Sequence, residues 1–128
     1  MTITHINASA GATLTPAVVV GDLVYTAGQV GIDPTTGATP DDFAAEVELA
    51  LEALESVLAD AGSDLSSIVK ASCFVTDISL VPVFNEVYRA RIPEPRPARS
   101  TIEARLVPPY RFEIEVVARV RTATERRP

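Results

Sequence analysis

The stretch Phe112-Glu113-Ile114-Glu115-Val116-Val117-Ala118-Arg119-Val120-Arg121 alternates between apolar and mostly charged side chains along its whole length. Successive side chains of a β-strand point to opposite faces of a sheet, so this alternation predicts a strand with one apolar face. That face carries Phe112, Ile114, Val116, Ala118 and Val120, and the other carries Glu113, Glu115, Val117, Arg119 and Arg121. The apolar face must be covered, and amphipathic helices are the expected cover.

A second strand is predicted just before this one, over Ala98–Leu106. By the same period, its residues are expected to divide into a helix-facing set, Ile102, Ala104 and Leu106, and an opposite set, Arg99, Thr101, Glu103 and Arg105. The short connection over 107–111 makes the two strands antiparallel. Arg99 and Glu113 each open a strand, which places them toward opposite ends of the sheet, roughly 10–15 Å apart. They are not expected to meet within one chain, but they can meet across a symmetric interface.

Two helices are predicted. The first runs over Pro40–Ala61, with Thr39 as N-cap and Pro40 at the first helical position, and Gly62 ends it. Its apolar stripe has three- and four-residue spacing and consists of Phe43, Val47, Ala50, Leu51, Leu54, Val57 and Leu58. The acidic residues Asp41, Glu46, Glu48, Glu52 and Glu55 are interpreted as a solvated face. The second helix is predicted over Leu80–Arg91, with Pro82 in its first turn.

The remaining apolar segments predict an edge strand over Thr2–Ile6, a hairpin of Val18–Val20 and Leu23–Thr26 around Gly21-Asp22, and a strand over Ile68–Thr76. The order β-β-β-α-β-α-β-β predicts an α+β fold, a single six-stranded sheet with two helices on one face. We expect residues 1–128 to form a single domain, with 122–128 as a flexible polar tail. The second sheet face mixes apolar and charged groups, which is typical of a subunit interface.

Composition narrows the class of function. Hydrophobic residues make up 47% of the 128-residue chain and charged residues 22%, as in globular proteins. The net charge of −6, with Lys70 as the sole lysine, argues against nucleic acid as a partner. The single cysteine, Cys73, excludes an intrachain disulfide, and no apolar run is long enough for a membrane span. We therefore expect a soluble, cytoplasmic protein. We also expect no metal site, because His5 is the only histidine.

Several segments, in order and over nearly the whole chain, carry a family resemblance. They are Tyr25-Thr26-Ala27-Gly28-Gln29-Val30-Gly31, Asp33-Pro34-Thr35-Thr36-Gly37, Leu58-Ala59-Asp60-Ala61-Gly62, Ile68-Val69-Lys70-Ala71-Ser72-Cys73-Phe74-Val75-Thr76-Asp77, Asn85-Glu86-Val87-Tyr88, Arg96-Pro97-Ala98-Arg99-Ser100 and Phe112-Glu113-Ile114-Glu115-Val116. In this register they resemble the RidA family, also called YjgF or L-PSP endoribonuclease-like. The resemblance implies a chorismate-mutase-like fold and a homotrimer with clefts between subunits. It also implies hydrolysis of reactive 2-enamine and 2-imine carboxylates to 2-keto acids and ammonia, without metal or organic cofactor.

The same resemblance assigns roles to particular residues. Arg99 is similar to the arginine that grips the substrate carboxylate, and a planar guanidinium suits that task because it can donate two parallel hydrogen bonds. Glu113 is similar to the acid that positions the attacking water. Ala27, Gly28, Asn85 and Thr101 correspond to pocket-forming positions.

Other interpretations remain open at this stage. Arg99 could form an ion pair with Glu103, or with an acidic residue of a neighbouring subunit. Glu113 could pair with an arginine among Arg105, Arg111 and Arg119, and Glu115 could position the water instead. Compared with the best-known deaminases, Ala27 replaces a serine, Thr101 replaces a cysteine, and residues 14–17 lack the expected tyrosine. These changes keep open a pathway-specific deaminase of a larger enamine carboxylate, or a non-catalytic carboxylate-binding trimer.

Overall fold

The computed structural model describes residues 2–121, and the predicted tail over 122–128 lies outside them. The strands are β1 (Ile3–Ile6), β2 (Ala17–Val20), β3 (Leu23–Thr26), β4 (Gln29–Val30), β5 (Ile68–Val75), β6 (Ala98–Glu103) and β7 (Phe112–Arg119). The helices are α1 (Phe43–Asp60) and α2 (Val81–Arg91). Single 3₁₀ turns at Leu65–Ser67 and Ile78–Leu80 precede β5 and α2. The α+β class is confirmed. None of the helices within 2–121 is long and apolar enough to cross a lipid bilayer.

The strands form one open sheet in the order β1-β2-β3-β7-β5-β6. All neighbours are antiparallel except β5 and β6, which run parallel, so β6 and β7 are antiparallel as predicted. The hairpin of β2 and β3 turns at Gly21, whose φ of 60° suits a residue without a Cβ. Both helices pack on one face of the sheet, where Phe112 of β7 contacts Phe43 of α1 and Phe84 of α2.

The sheet has one strand more than the six predicted. β3 pairs with β7 only from Leu23↔Arg119 to Tyr25↔Val117, which leaves the first half of β7 without a partner on that side. The chain bends through Ala27 and Gly28 and pairs again as β4, at Gln29↔Ile114 and Val30↔Glu113. A two-residue strand is too short to produce an alternation that can be recognised in the sequence. This bend nevertheless places Gly28 beside the start of β7.

The first helix begins three residues later than predicted, because Asp42 and not Thr39 is its N-cap. The Asp42 carboxylate accepts a hydrogen bond from the Ala45 N–H at 2.9 Å. The Thr39 hydroxyl instead donates to the Gly31 carbonyl at 2.8 Å, which closes the turn-containing loop between these two residues. The second helix begins at Val81, after the 3₁₀ turn, and Pro82 lies in its first turn as predicted.

The interpretation of Glu46 as part of a solvated face is wrong, because this side chain is fully buried. Its carboxylate accepts hydrogen bonds from the Arg111 Nε at 2.8 Å, the Arg111 backbone N–H at 2.7 Å and the Phe112 N–H at 3.2 Å. Arg111 also donates to the carbonyls of Pro40 and Asp41. This network ties the start of α1 to the start of β7, and so fixes where β7 begins.

The predicted faces of β6 are also wrong. Arg99 and Thr101 of β6 lie beside Ala71 and Cys73 of β5, which are fully buried under the helices, so Arg99 and Thr101 share that face. Ile102 points the other way and is 55% exposed. The face of an edge strand is set by its neighbour, and here the neighbour is β5. In β5 itself, a bulge between Ile68 and Lys70 shifts the register, so that Ile68 is buried on the same face as Ala71 and Cys73.

Candidate functional site

Arg99 lies near the start of the edge strand β6, on the face that α2 covers. Its guanidinium carbon lies 4.7 Å from the centre of the Phe84 ring and 4.9 Å from that of Tyr88. These aromatic faces hold the cation by cation–π attraction, and its Nη2 donates to the Asn85 side-chain oxygen at 2.8 Å. Within residues 2–121 no carboxylate pairs with Arg99, and Glu103 instead accepts the Ile78 N–H. The guanidinium is thus oriented but not neutralised.

Arg99 opens into a cleft of about 260 Å³ between α2 and the start of β6, lined by Asn85, Tyr88, Arg89, Arg96, Pro97 and Arg99. Two hydroxyl groups on this side of the sheet are buried without a hydrogen-bond partner among the described residues, those of Tyr88 and Thr101. Burial raises the pKa of Tyr88 to about 12, so its phenol stays a hydrogen-bond donor at neutral pH. A buried polar group without a partner costs free energy, so these two hydroxyls are unusual in the packing beneath Arg99.

Glu113 lies on the opposite face of the same sheet, at the start of β7. It sits directly against Gly28, where a Cβ built on the glycine would lie 2.1 Å from the Glu113 Oε2. The absence of a side chain at position 28 is therefore what leaves room for this carboxylate. Burial, and secondarily the nearby charge of Glu115, raise the pKa of Glu113 above its ordinary value. A carboxylate with a raised pKa is a better proton acceptor near neutral pH.

Ala27 shapes the same bend through its backbone. Its N–H donates to the Pro16 carbonyl at 2.9 Å, and its carbonyl accepts from the Gln29 side-chain amide at 3.2 Å. Next to it, the Thr26 hydroxyl accepts the Val116 N–H at 3.0 Å. These hydrogen bonds hold the bend at Ala27 and Gly28, so that the backbone of Gly28 lies close to Glu113.

The structure divides the six predicted site residues into two half-sites. The first, on the helix face, contains Arg99, Asn85 and Thr101. The second, on the other face, contains Glu113, Gly28 and Ala27. Along β5, Arg99 lies beside Ala71 and Glu113 beside Phe74, a separation of about 10 Å at 3.3 Å per residue. One chain does not bring the two half-sites together, in agreement with the distance expected from the sequence.

Sequence reasoning missed the aromatic support of Arg99. The spacing of Phe84 and Tyr88 fits the apolar side of α2, and nothing in that spacing indicates that a cation from another element lies over them. Cys73 is buried, as expected for a packing residue, and burial raises the pKa of its thiol to about 12. Within residues 2–121, no three side chains of His, Cys, Asp or Glu come together as metal ligands.

Comparison with known proteins decides the family. The family model described as Endoribonuclease L-PSP matches residues 5–120. The chain belongs to this family, the RidA or YjgF family. A relative in Salmonella typhimurium named 2-iminobutanoate/2-iminopropanoate deaminase is 37% identical over 102 residues, covering 77% of this chain and 80% of its own.

Solved structures of family members have the same fold. RidA from an Antarctic Psychrobacter species matches with a TM-score of 0.80 at 35% identity, over 91% of this chain and 96% of its own. The YjgF gene product of E. coli matches with a TM-score of 0.80 at 32% identity, over 88% of this chain and 91% of its own. The resemblance inferred from the sequence segments is therefore confirmed.

Proposed function

We propose that this RidA family member is a cofactor-free hydrolase that converts reactive 2-imine and 2-enamine carboxylates to 2-keto acids and ammonia. The observation that carries the proposal is Arg99, a guanidinium held by aromatic rings and Asn85, facing a cleft and lacking an acidic partner within residues 2–121. A planar cation in that state suits a ligand carboxylate. The relative named as a 2-iminobutanoate/2-iminopropanoate deaminase supports the choice of substrate class. Such an activity would remove reactive intermediates from metabolism.

We further propose that the protein acts as a homotrimer, in which Arg99 of one subunit and Glu113 of the next line a common cleft. The position of Arg99 supports this, because β6 is the edge of the sheet and a neighbouring subunit can approach it. The face that carries Glu113 is partly apolar, with Tyr25 48% and Ile102 55% exposed in the single chain. Exposed apolar groups mixed with charges are typical of a subunit interface.

The proposed chemistry needs one proton acceptor and one carboxylate clamp. Arg99 binds the substrate carboxylate next to the C=N carbon. Glu113 accepts a proton as water adds to that carbon, and then returns it to the nitrogen. The hydroxyl proton of the resulting carbinolamine then moves to the nitrogen, the C–N bond breaks, ammonia leaves and the carbonyl of the keto acid forms. Asn85 orients Arg99, and Thr101 follows Arg99 on the same face of β6 with a buried hydroxyl that has no partner among the described residues.

The activity can be measured with imine generated in place by an amino-acid oxidase, in the presence of semicarbazide as a trap. Added protein is expected to lower the yield of trapped imine derived from 2-aminobutanoate. Arg99→Ala is expected to abolish this effect, and Arg105→Gln, which removes an arginine outside the cleft, is expected to retain it. Binding of 2-oxobutanoate without turnover of any imine would instead identify a non-catalytic carboxylate-binding protein.

Mixing inactive subunits tests the shared cleft. Arg99→Ala and Glu113→Gln are each expected to be inactive alone. After unfolding and joint refolding at equal amounts, about a quarter of the clefts in a cyclic trimer receive both an intact Arg99 and an intact Glu113 from different subunits. Activity near that fraction supports the trimeric site. If the two groups acted within one chain, no mixture could restore activity. Light scattering should give three times the chain mass of 13.6 kDa.

A further inference from the structure

The cleft that contains Arg99 has more positive charge than a single carboxylate requires. Three arginines line it, Arg89, Arg96 and Arg99, and no acidic residue does. The whole chain has a net charge of −6, so this concentration of cations runs against its composition. Arg96 and Arg89 are each paired with an exposed carboxylate outside the cleft lining, Glu94 and Glu86, whereas Arg99 has no such partner within residues 2–121.

Arg96 is a fixed member of the group. Its Nε donates to the Ile92 carbonyl at 3.1 Å and its Nη2 to the Arg89 carbonyl at 3.0 Å, which caps the last turn of α2. Its Nη1 contacts Glu94 at 3.1 Å, a carboxylate whose side chain is 79% exposed. Arg96 therefore holds the wall of the cleft and adds positive potential to it.

Arg89 is the adjustable member. It follows Asn85 by four positions on α2, so the two lie on the same helix face, with about 5–6 Å between their Cβ atoms. Its one ionic contact within residues 2–121 is with Glu86 at 3.4 Å, between side chains that are 60% and 79% exposed. An exposed pair of this kind contributes little, so Arg89 can turn into the cleft at small cost.

Tyr88, the neighbour of Arg89 in the chain, also lines the cleft. Tyr88 is only 5% exposed, and its hydroxyl is buried without a hydrogen-bond partner among the described residues. It lies next to Arg89 in the chain and next to Arg99 in space, where the guanidinium carbon is 4.9 Å from its ring. The Tyr88 ring therefore forms an aromatic wall between the Arg99 guanidinium and the outer part of α2.

We propose that Arg89 is a specificity-determining residue that binds a second carboxylate, so that the preferred substrates are 2-imino dicarboxylates of four or five carbons. The inference rests on the proposed imine hydrolysis and specifies its substrate class. The first carboxylate binds Arg99 and the second binds Arg89, which lies one turn of α2 beyond Asn85, the residue that holds Arg99. The reaction is unchanged: water adds to the C=N carbon, the C–N bond breaks, and a 2-keto dicarboxylate and ammonia are released.

The test compares kcat/KM for 2-iminoglutarate and 2-iminobutanoate, each generated in place by a suitable amino-acid oxidase. Arg89→Gln is expected to lower kcat/KM for the dicarboxylate about tenfold, the value of one charge-assisted hydrogen bond, and to leave the monocarboxylate unchanged. Glu86→Gln, which releases Arg89 from its exposed partner, is expected to retain or raise the preference. Arg105→Gln should alter neither substrate. Equal effects of Arg89→Gln on both imines, or no effect on either, would overturn the proposal.

A binding measurement separates this inference from the proposed activity. Glutarate, butyrate and inorganic phosphate serve as unreactive probes in calorimetry. Wild type is expected to bind glutarate more tightly than the other two, and Arg89→Gln is expected to bind glutarate and butyrate alike. Turnover of 2-iminobutanoate without any preference for glutarate would remove the dicarboxylate proposal and leave the deaminase intact. A preference for phosphate over glutarate would also overturn it. Absence of all turnover would remove the deaminase, whatever Arg89 binds.

Discussion

The contact between Gly28 and Glu113 gives a prediction that separates catalysis from folding. In Gly28→Ala, the new Cβ would lie 2.1 Å from the Glu113 Oε2, whereas an ordinary contact begins near 3.4 Å. The carboxylate oxygen must therefore retreat by about 1.3 Å. The Glu113 side chain is flexible, and the φ of Gly28 lies outside the left-handed region, so the fold should accommodate the alanine. Displacement of a catalytic group by about 1 Å can cost about 100-fold in rate, and we expect that loss in kcat/KM.

Gly31→Ala is the matched control for this substitution. Its Cβ would also lie 2.1 Å from a neighbouring atom, but that atom is the backbone carbonyl oxygen of Glu46 inside α1. Backbone in a packed helix cannot retreat as a side chain can, so the free energy of unfolding should fall by about 1–3 kcal/mol. Urea denaturation and the semicarbazide assay are run on both variants. The reasoning is refuted if Gly28→Ala keeps wild-type kcat/KM, or if it loses as much stability as Gly31→Ala.

Three further substitutions have defined outcomes. Glu113→Gln should raise the melting temperature near pH 8, because a carboxyl whose pKa is raised by folding destabilises the folded state once it ionises. The difference in melting temperature from wild type should shrink as the pH falls toward the ordinary carboxyl pKa. A difference that stays constant with pH in calorimetry would contradict this. Arg111→Ala should lower the free energy of unfolding, measured by urea denaturation, by about 3 kcal/mol, because it leaves the buried Glu46 carboxylate with backbone partners alone. A loss of less than 1 kcal/mol would contradict this prediction. Asn85→Ala should raise KM about tenfold with a smaller effect on kcat, because Arg99 loses the acceptor that orients it, and unchanged kinetics would contradict it.

The sequence predicted those elements whose local pattern and tertiary role agree. In β7, the alternation from Phe112 onward matches the burial found in the structure, and the antiparallel relation of β6 to β7 follows from the short connection between them. The hairpin at Gly21 and the first-turn position of Pro82 were likewise predicted from local chemistry. In each case the residues that decide the conformation are neighbours in the chain.

The failures share a different cause, which is a partner distant in sequence. Glu46 follows the polar pattern of α1, yet Arg111 and two backbone N–H groups from the start of β7 make its burial favourable. Arg99 was assigned to the polar face of β6, yet Phe84 and Tyr88 offer aromatic faces on which a guanidinium can stack. An analysis of hydrophobic periodicity assigns every charged residue to the solvent-exposed face. It cannot recognise a charged group for which the fold has prepared a buried partner.

The corrected position of Arg99 strengthens the case for a shared site. If Arg99 and Glu113 lay on the same sheet face, as the alternation suggested, only their distance along and across the strands would separate them within one chain. Because the two residues lie on opposite faces, the sheet itself separates them. The hydrogen bonds of β6 and β7 to β5 cannot open without loss of the core around Cys73 and Ile114. Arg99 opens into the cleft between α2 and the edge strand β6, and Glu113 lies on the face without helices. A neighbouring subunit that presents the second face to the first edge satisfies both conditions, and it covers the exposed apolar groups of that face in the same contact.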